Sequence, residues 1–465
     1  MFHCRERELN ELEKRYNGND FECMVIYGRR RVGKTSLISE FCKDKPAIFF
    51  SALNASAQEN LEALSRAIYE KDNPIAEEPP VYTSFDAAFS EIAKMAKDKR
   101  LVFVIDEYPY LAKADSSISS RLQHIIDHTL KDGKLFLILC GSSMSFMEHQ
   151  VLGYESPLYG RRTGQLKIKA LTYLEVTEFN TRLSHEDQAL IYGITGGIPH
   201  YINKLGVKEN IDGALKENLF SPSSYLFEEP GNLLKQELRE PAIYNSVITA
   251  VAGGATRSNE IAAKIGISPQ ICAKYLKVLL DLGILTKETP ITEKAGRKSI
   301  YSLGDNFFRF WYRFVPQNLS AISAGKIERI YEPIIKKHFS EYIGFVFEQI
   351  CREYLFLYAE NLPGILTDIG QWWGTDATEK KEVQIDIVGQ LAEPGEYIIG
   401  SCKYKNSPIG VDEFDLLKKY AQVFGKGKKY YYYIFSKGGF TKGLEELAKQ
   451  DEVKLLTLDD VYRKH

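Results

Sequence analysis

The stretch Gly28-Arg29-Arg30-Arg31-Val32-Gly33-Lys34-Thr35 constrains this chain more than any other. It follows an apolar run, Cys23–Tyr27, and leads into Ser36-Leu-Ile-Ser-Glu-Phe41, which reads as a helix. Strand, glycine-rich loop, helix is the order in which G-x-x-x-x-G-K-[ST] becomes a phosphate cradle. Gly28 and Gly33 let the backbone curl so that successive N–H groups converge, and a helix opening at Lys34 adds the positive end of its dipole. The expected cofactor-binding segment is therefore Gly28 to Ser36. Within it, Lys34 reaches the β- and γ-phosphates and Thr35 offers its hydroxyl to Mg²⁺. Such a loop belongs to a parallel α/β sheet.

A chain of 465 residues exceeds one ordinary core, and length alone suggests about three domains. Its 44% hydrophobic and 26% charged residues are ordinary for globular material. There is no apolar run long enough for a membrane helix, and the first residues lack the apolar centre of a signal peptide. The seven cysteines are scattered and form no C-x-x-C pair, so they read as reduced core residues of a cytoplasmic protein. The net charge of −2 announces no nucleic acid, and any DNA contact has to come from a local patch.

Downstream, Leu101–Ile105 is a buried-strand run that delivers Asp106 and Glu107 at its C-terminal end. Asp106 is expected to hold Mg²⁺ with Thr35, and Glu107 to orient and deprotonate the attacking water. A further apolar run, Leu135–Cys140, ends in Gly141-Ser142-Ser143, which brings Ser142 or Ser143 toward the γ-phosphate. Arg161 or Arg162, before a short strand Gln165–Ala170, is the candidate arginine for charge on the transferring phosphoryl group. His124 and His128 stand four apart on a predicted helix, but Ile-Ile-Asp lies between them, so they read as a helix face without metal.

Together with Phe2-His-Cys-Arg5-Glu6-Arg-Glu8-Leu9, Pro157-Leu-Tyr-Gly-Arg161 and Gly196-Gly-Ile-Pro199-His-Tyr201, these motifs resemble the prokaryotic, archaeal-type ATPase family within the AAA+/STAND P-loop NTPases. The resemblance implies ATP and Mg²⁺ as cofactors, with adenine held between the Phe2 segment and a helical lid carrying Pro199. Cys4 stands where the family often has glycine, and no lid arginine of the usual sensor type follows. That departure implies a nucleotide switch of slow turnover rather than a ring-shaped motor.

Residues 236–304 have a different rhythm. Helices over Ala242–Ala252, Arg257–Ile265 and Gln270–Leu282 precede two short strands flanking a turn, Glu293–Arg297. This is the order of a winged helix-turn-helix. On the third helix Ile271, Tyr275, Leu279 and Leu282 are expected to face the core, leaving Gln270, Ala273, Lys274 and Lys277 outward. Between Ala255 and Tyr301, lysines and arginines outnumber acids eight to four, a modest excess. Lys274, Lys277, Arg297 and Lys298 are the candidate contacts to double-stranded DNA, against the equally open reading of a protein-interaction module. The segment Asp305–Val315, with six aromatics, reads as a buried helix locking domains together.

From about residue 325 the pattern becomes helix, strands, helix, strand, helix, with Glu382, Gln384 and Asp386 on one strand face and Ser401 and Lys403 on another. This part resembles the PD-(D/E)XK nuclease fold, in the domain of unknown function fused behind this ATPase. The resemblance places Glu348, Asp386 and Lys403 around a metal and a scissile phosphate. Ser401, however, occupies the position of the second acidic ligand, with Glu382 as a partial substitute. A hydroxyl brings no charge to a Mg²⁺ site, so a degenerate nuclease-like domain is the expectation.

The expected architecture is α/β: a P-loop NTPase core (1–170) with a helical lid (171–235), a winged helix (236–304), then linker helices and a restriction-endonuclease-like α/β domain (305–465). The expected function is an ATP-binding, ATP-hydrolysing switch, possible DNA association included. The alternatives are an active ATP-dependent DNA endonuclease and a signalling or scaffold ATPase with a protein partner and no DNA.

Overall fold

The computed structural model of the chain describes residues 3–71, 79–293, 296 and 298–463. Phe2, Lys294, Ala295 and Arg297, which carry parts of the expected adenine site and wing, lie outside the described residues. The chain divides into two compact units. One runs to Ala170 and adds Ile198–His200; the other comprises Leu171–Gly197 and the chain from Tyr201 onward.

The first unit is built on five parallel strands: β1 (Glu22–Tyr27), β2 (Ala47–Ser51), β3 (Leu101–Asp106), β4 (Leu135–Gly141) and β5 (Gly164–Lys167). Their order across the sheet is β2-β3-β4-β1-β5. β3 and β4 are buried at every position, as continuous apolar runs must be when helices cover both faces. Because β4 lies between β1 and β3, Gly141 is in register with Tyr27 at the end of β1. All three strands point their C-terminal ends the same way, which gathers the glycine loop, Ser142, Asp106 and Glu107 along one edge. The fifth strand ends at Lys167, three residues before the expected Ala170.

In the second unit, helices Pro241–Ala252, Ser258–Ile265 and Pro269–Asp281 are followed by an antiparallel pair, β6 (Leu285–Glu288) and β7 (Ile300–Leu303). Ser268 caps the third helix through the Ile271 N–H, with Pro269 in its first turn. The buried face of that helix is Cys272, Leu276 and Leu279: Leu279 is inward as expected, whereas Cys272 and Leu276 stand where Ile271 and Tyr275 were expected. Ile271 is 47% exposed, and Gln270, Ala273, Lys274 and Lys277 are outward with it.

The aromatic segment is a helix, Asn306–Phe314, with Phe307, Phe308 and Phe310 fully buried. Trp311 Nε1 donates to the Phe227 carbonyl at 2.8 Å and Tyr312 Oη to Asn245 Oδ1 at 2.5 Å. Five of the six aromatic rings are core, and Trp311 is half-buried with its indole N–H bonded.

A 19-residue helix, Phe339–Leu357, follows. Its Tyr342 hydroxyl donates to the Gly193 carbonyl at 2.6 Å. Its Glu353 accepts from the Tyr173 N–H at 2.9 Å and the Tyr192 hydroxyl at 3.0 Å. Burial lifts the Glu353 carboxyl to a pKa of about 7. The same helix presents Glu348 to the last sheet. That sheet runs β12-β11-β10-β9-β8: β8 (Leu366–Asp376), β9 (Lys381–Leu391) and β10 (Glu396–Lys403) are antiparallel neighbours, and β11 (Lys429–Ser436) and β12 (Val453–Thr457) run parallel to β10. The helix Val411–Phe424 links β10 to β11.

Candidate functional site

The loop after β1 brings its chemistry together within the first unit. A side chain on Gly28 would begin 2.3 Å from the Ile168 carbonyl oxygen, so only glycine lets the loop leave β1 here. Lys34 is buried, and its ammonium donates to the carbonyls of Gly28 at 3.0 Å and Arg29 at 2.9 Å. Those two carbonyls stand in for the phosphate oxygens a P-loop lysine binds. Burial lowers the Lys34 pKa, and Cys140, Glu107 and Asp106 nearby act against that. Thr35 Oγ1 donates to Asp106 Oδ2 at 2.9 Å. Hydroxyl and carboxylate oxygens at that separation suit a hard cation such as Mg²⁺.

Glu107 adopts a left-handed backbone (φ 50°, ψ 43°), uncommon for a residue with a side chain. Its N–H donates to Asp106 Oδ1 at 2.9 Å, and its carboxylate accepts from Ser142 Oγ at 2.9 Å. The bend therefore turns the carboxylate toward the tip of β4. Pro199 reaches the same loop: its Cγ lies 3.9 Å from where a side chain on Gly33 would begin. Arg30 donates to the Tyr110 hydroxyl at 2.8 Å. Arg29, Arg31, Val32 and Ser36 complete the loop and its helix, with Arg31 also left-handed at φ 71°.

Arg161, the candidate arginine, is in a two-point ion pair with Asp127, Nη2 to Oδ2 at 2.9 Å and Nε to Oδ1 at 3.3 Å. Arg162 donates to the Leu152 carbonyl at 3.2 Å. Neither contact touches the loop. Sequence reasoning missed Arg5, which is buried and spans the site: it donates to the Val32 carbonyl at 3.1 Å and to the Lys169 carbonyl. Cys4 and Arg5 are both left-handed, at φ 61° and 73°, which is why glycine suits the Cys4 position. The signal was the Cys4-for-glycine departure itself.

In the second unit the four nuclease-like residues come together. Asp386 on β9 accepts from the Cys402 N–H on β10 at 2.9 Å. Glu348 accepts from Gln371 Nε2 on β8 at 2.6 Å and lies 3.8 Å from Arg352. Burial, then the charge of Asp386, raises the Glu348 carboxyl to about 7. Burial raises Asp386 too, opposed by Lys403. Glu382 is exposed on its strand. The carboxylate beside Ser401 is that of Glu413. From the first turn of Val411–Phe424 it accepts from the buried Ser401 hydroxyl at 2.7 Å and pairs with Lys403 Nζ at 3.1 Å. Burial works against the Lys403 ammonium, but Asp386 and Glu413 outweigh it and raise its pKa. Among the described residues, no three His, Cys, Asp or Glu side chains converge on one metal position. The donors are all hard oxygens, the chemistry Mg²⁺ requires.

Of the candidate DNA contacts, Lys274 and Lys277 are exposed, whereas Lys298 is paired with Glu293 at 3.2 Å. Arg297 is outside the described residues.

An uncharacterized protein of Methanocaldococcus jannaschii is 33% identical over 431 residues, covering 92% of each chain. An ATPase domain described as predominantly from Archaea matches residues 2–205. The chain belongs to this archaeal ATPase family. A second domain, described for archaeal and bacterial proteins of unknown function, matches residues 311–417. Among solved structures, a Walker-type ATPase of Pyrococcus abyssi is similar in fold (TM-score 0.52, 20% identity, 67% of this chain and 96% of that one). The Aeropyrum pernix ORC2 protein is matched at TM-score 0.45 and 15% identity over 70% of this chain and 95% of that one. The ATPase domain thus accounts for the loop site as a nucleotide site. Among the described residues, no helix of this ATPase is long and apolar enough to cross a membrane.

Proposed function

We propose that this ATPase is a nucleotide switch that hydrolyses ATP slowly and passes its state to the three-helix and C-terminal modules. The observation that carries the reading is the chain of contacts Thr35–Asp106–Glu107–Ser142, which aligns a cation ligand and a carboxylate base beside the loop. Lys34 would exchange the Gly28 and Arg29 carbonyls for β- and γ-phosphate oxygens. Thr35 and Asp106 would hold Mg²⁺, which supplies charge neutralisation across the phosphates. Ser142 holds Glu107 so that its carboxylate takes the proton of the attacking water. The water oxygen bonds to the γ-phosphorus, the bond to the β–γ bridging oxygen breaks, and Lys34 meets the charge left on ADP. With Arg161 held by Asp127 and no lid arginine of the usual sensor type, slow turnover is expected.

The three helices and the β6–β7 pair have the order of a winged helix, and the exposed face with Gln270, Lys274 and Lys277 supports duplex DNA as its ligand. The test is ATP turnover with and without duplex and single-stranded DNA. Stimulation supports a DNA-linked switch; indifference at every salt concentration favours a protein-partnered signalling ATPase.

One observation favours a second reading, in which the C-terminal domain is a working cation-dependent phosphodiesterase rather than a degenerate one. Glu413 brings beside Ser401 the carboxylate that position 401 lacks. Glu348 and Asp386 would bind the cation, with Lys403 and Glu413 flanking the phosphate-facing side. Mg²⁺-dependent nicking of DNA, lost in both Asp386→Ala and Glu413→Ala, supports it; intact DNA at high protein concentration returns the domain to a binding role.

A further inference from the structure

β8 carries an irregularity between Gly370 and Trp372, so Gln371 drops out of register with β9. A bulge frees one residue's backbone from the ladder and re-aims its side chain. Both consequences are visible at Gln371. Its carbonyl accepts from the Ile291 N–H at 2.9 Å, and its amide donates to Glu348 at 2.6 Å. Ile291 belongs to the segment that follows β6 in the three-helix module. Yet it is buried in the core of the C-terminal domain, with Trp372, Val383 and Ile385. Beside it Lys426 Nζ donates to Thr292 Oγ1 at 2.8 Å and pairs with Glu293 at 3.2 Å. The approach is close: a side chain on Gly370 would begin 3.5 Å from Ile291 Cβ.

We propose that Ile291–Glu293 is a strap that positions Glu348 through Gln371, so that the three-helix module sets the geometry of the C-terminal site. Gln371 is a positioning residue, and the strap acts on it from the backbone side. A ligand that draws this segment away from β8 releases the Glu348 carboxylate from its donor. The inference rests on the reading of Glu348 and Asp386 as cation ligands.

The test is Mn²⁺ binding to the full chain, followed by electron paramagnetic resonance of free Mn²⁺, in an Asp106→Asn background that removes the β3 carboxylate assigned to the cation of the ATP site. Gln371→Leu, which deletes the donor at similar volume, and Ile291→Ser, which weakens the strap, should each lower affinity roughly ten-fold, the scale on which outer-shell partners act. Ile291→Cys with Gly370→Cys should form a disulfide, since the 3.5 Å separation suits one, and should keep the parent affinity when oxidised. Hydrogen exchange over β8 reports whether Ile291→Ser has freed the strap in a folded chain. Parent affinity in Ile291→Ser with β8 deprotected overturns the strap alone. No Mn²⁺ binding by the parent, at concentrations where its fold is intact, overturns the cation reading and the strap together.

Discussion

Ser142 and Glu107 are joined by a hydrogen bond of 2.9 Å from the tip of β4 to the carboxylate that follows β3. The bond depends on sheet order, since β4 runs directly beside β3. It also depends on the left-handed turn at Glu107, which aims the side chain at its neighbour. Glu107 is therefore held by a partner rather than left to sample rotamers.

Ser142→Ala should lower kcat for ATP hydrolysis roughly ten-fold with little change in KM. A hydrogen bond to a charged group contributes about 1.5–3 kcal/mol, and about 1.4 kcal/mol is a factor of ten in rate. Steady-state kinetics checks this, and an unchanged kcat would detach Ser142 from the base.

Arg5→Ala should damage both stability and nucleotide affinity. The guanidinium is 6% exposed and joins the Val32 carbonyl of the loop to the Lys169 carbonyl beyond β5. Removing it leaves both acceptors without that donor, at a cost of roughly 2–3 kcal/mol. Thermal unfolding with and without an ATP analogue should show a lower midpoint in both and a weakened ligand-induced rise.

The loop and its carboxylates were legible in the sequence because each is a local pattern: glycine spacing, an apolar run ending in Asp-Glu, a strand ending in serines. Glu413 was not legible. It comes ten residues after Lys403 and on a helix, so no spacing along β10 points to it, and only the return of Val411–Phe424 over the sheet brings it to Ser401. The strap was hidden for a related reason. Ile291 lies between the two short strands that flank the Glu293–Arg297 turn, and the bulge in β8 opens the carbonyl that it takes. On the third helix, hydropathy put Ile271 inward, whereas packing preferred the smaller Cys272. Arg161 was drawn to the active site by charge and position in the chain, but Asp127 holds it.

Stability should fall as pH rises from about 4.5 to 7 and level off above. The folded Glu353 carboxyl titrates near 7 against an ordinary value of 4.5, so the native state binds more protons than the unfolded chain across that window. The contribution is roughly 3 kcal/mol at most, and Glu348, also near 7, adds in the same direction. Glu353→Gln mimics the protonated form, with an oxygen for the Tyr173 N–H and an amide facing Tyr192. Denaturant melts between pH 5 and 8 should show a flatter profile in that variant; an identical slope would remove Glu353 from the account.

Restoring the acid on the strand tests the role given to Glu413. Ser401→Glu places a second carboxylate beside it, so Glu413 should lose its serine donor and the pair should repel. The double variant Ser401→Glu with Glu413→Gln should then bind Mn²⁺ at least as well as the parent, and Ser401→Glu alone less well. Equal affinities in all three would mean that Glu413 does not share the site's charge.

The most direct measurement is single-turnover ATP hydrolysis by the parent and by Glu107→Gln, alongside binding of a fluorescent ATP analogue. The account predicts equal nucleotide affinity and a rate at least about 100-fold lower in Glu107→Gln, since the amide keeps the Ser142 contact but accepts no proton. Full turnover in that variant would contradict the assignment of Glu107 as the base.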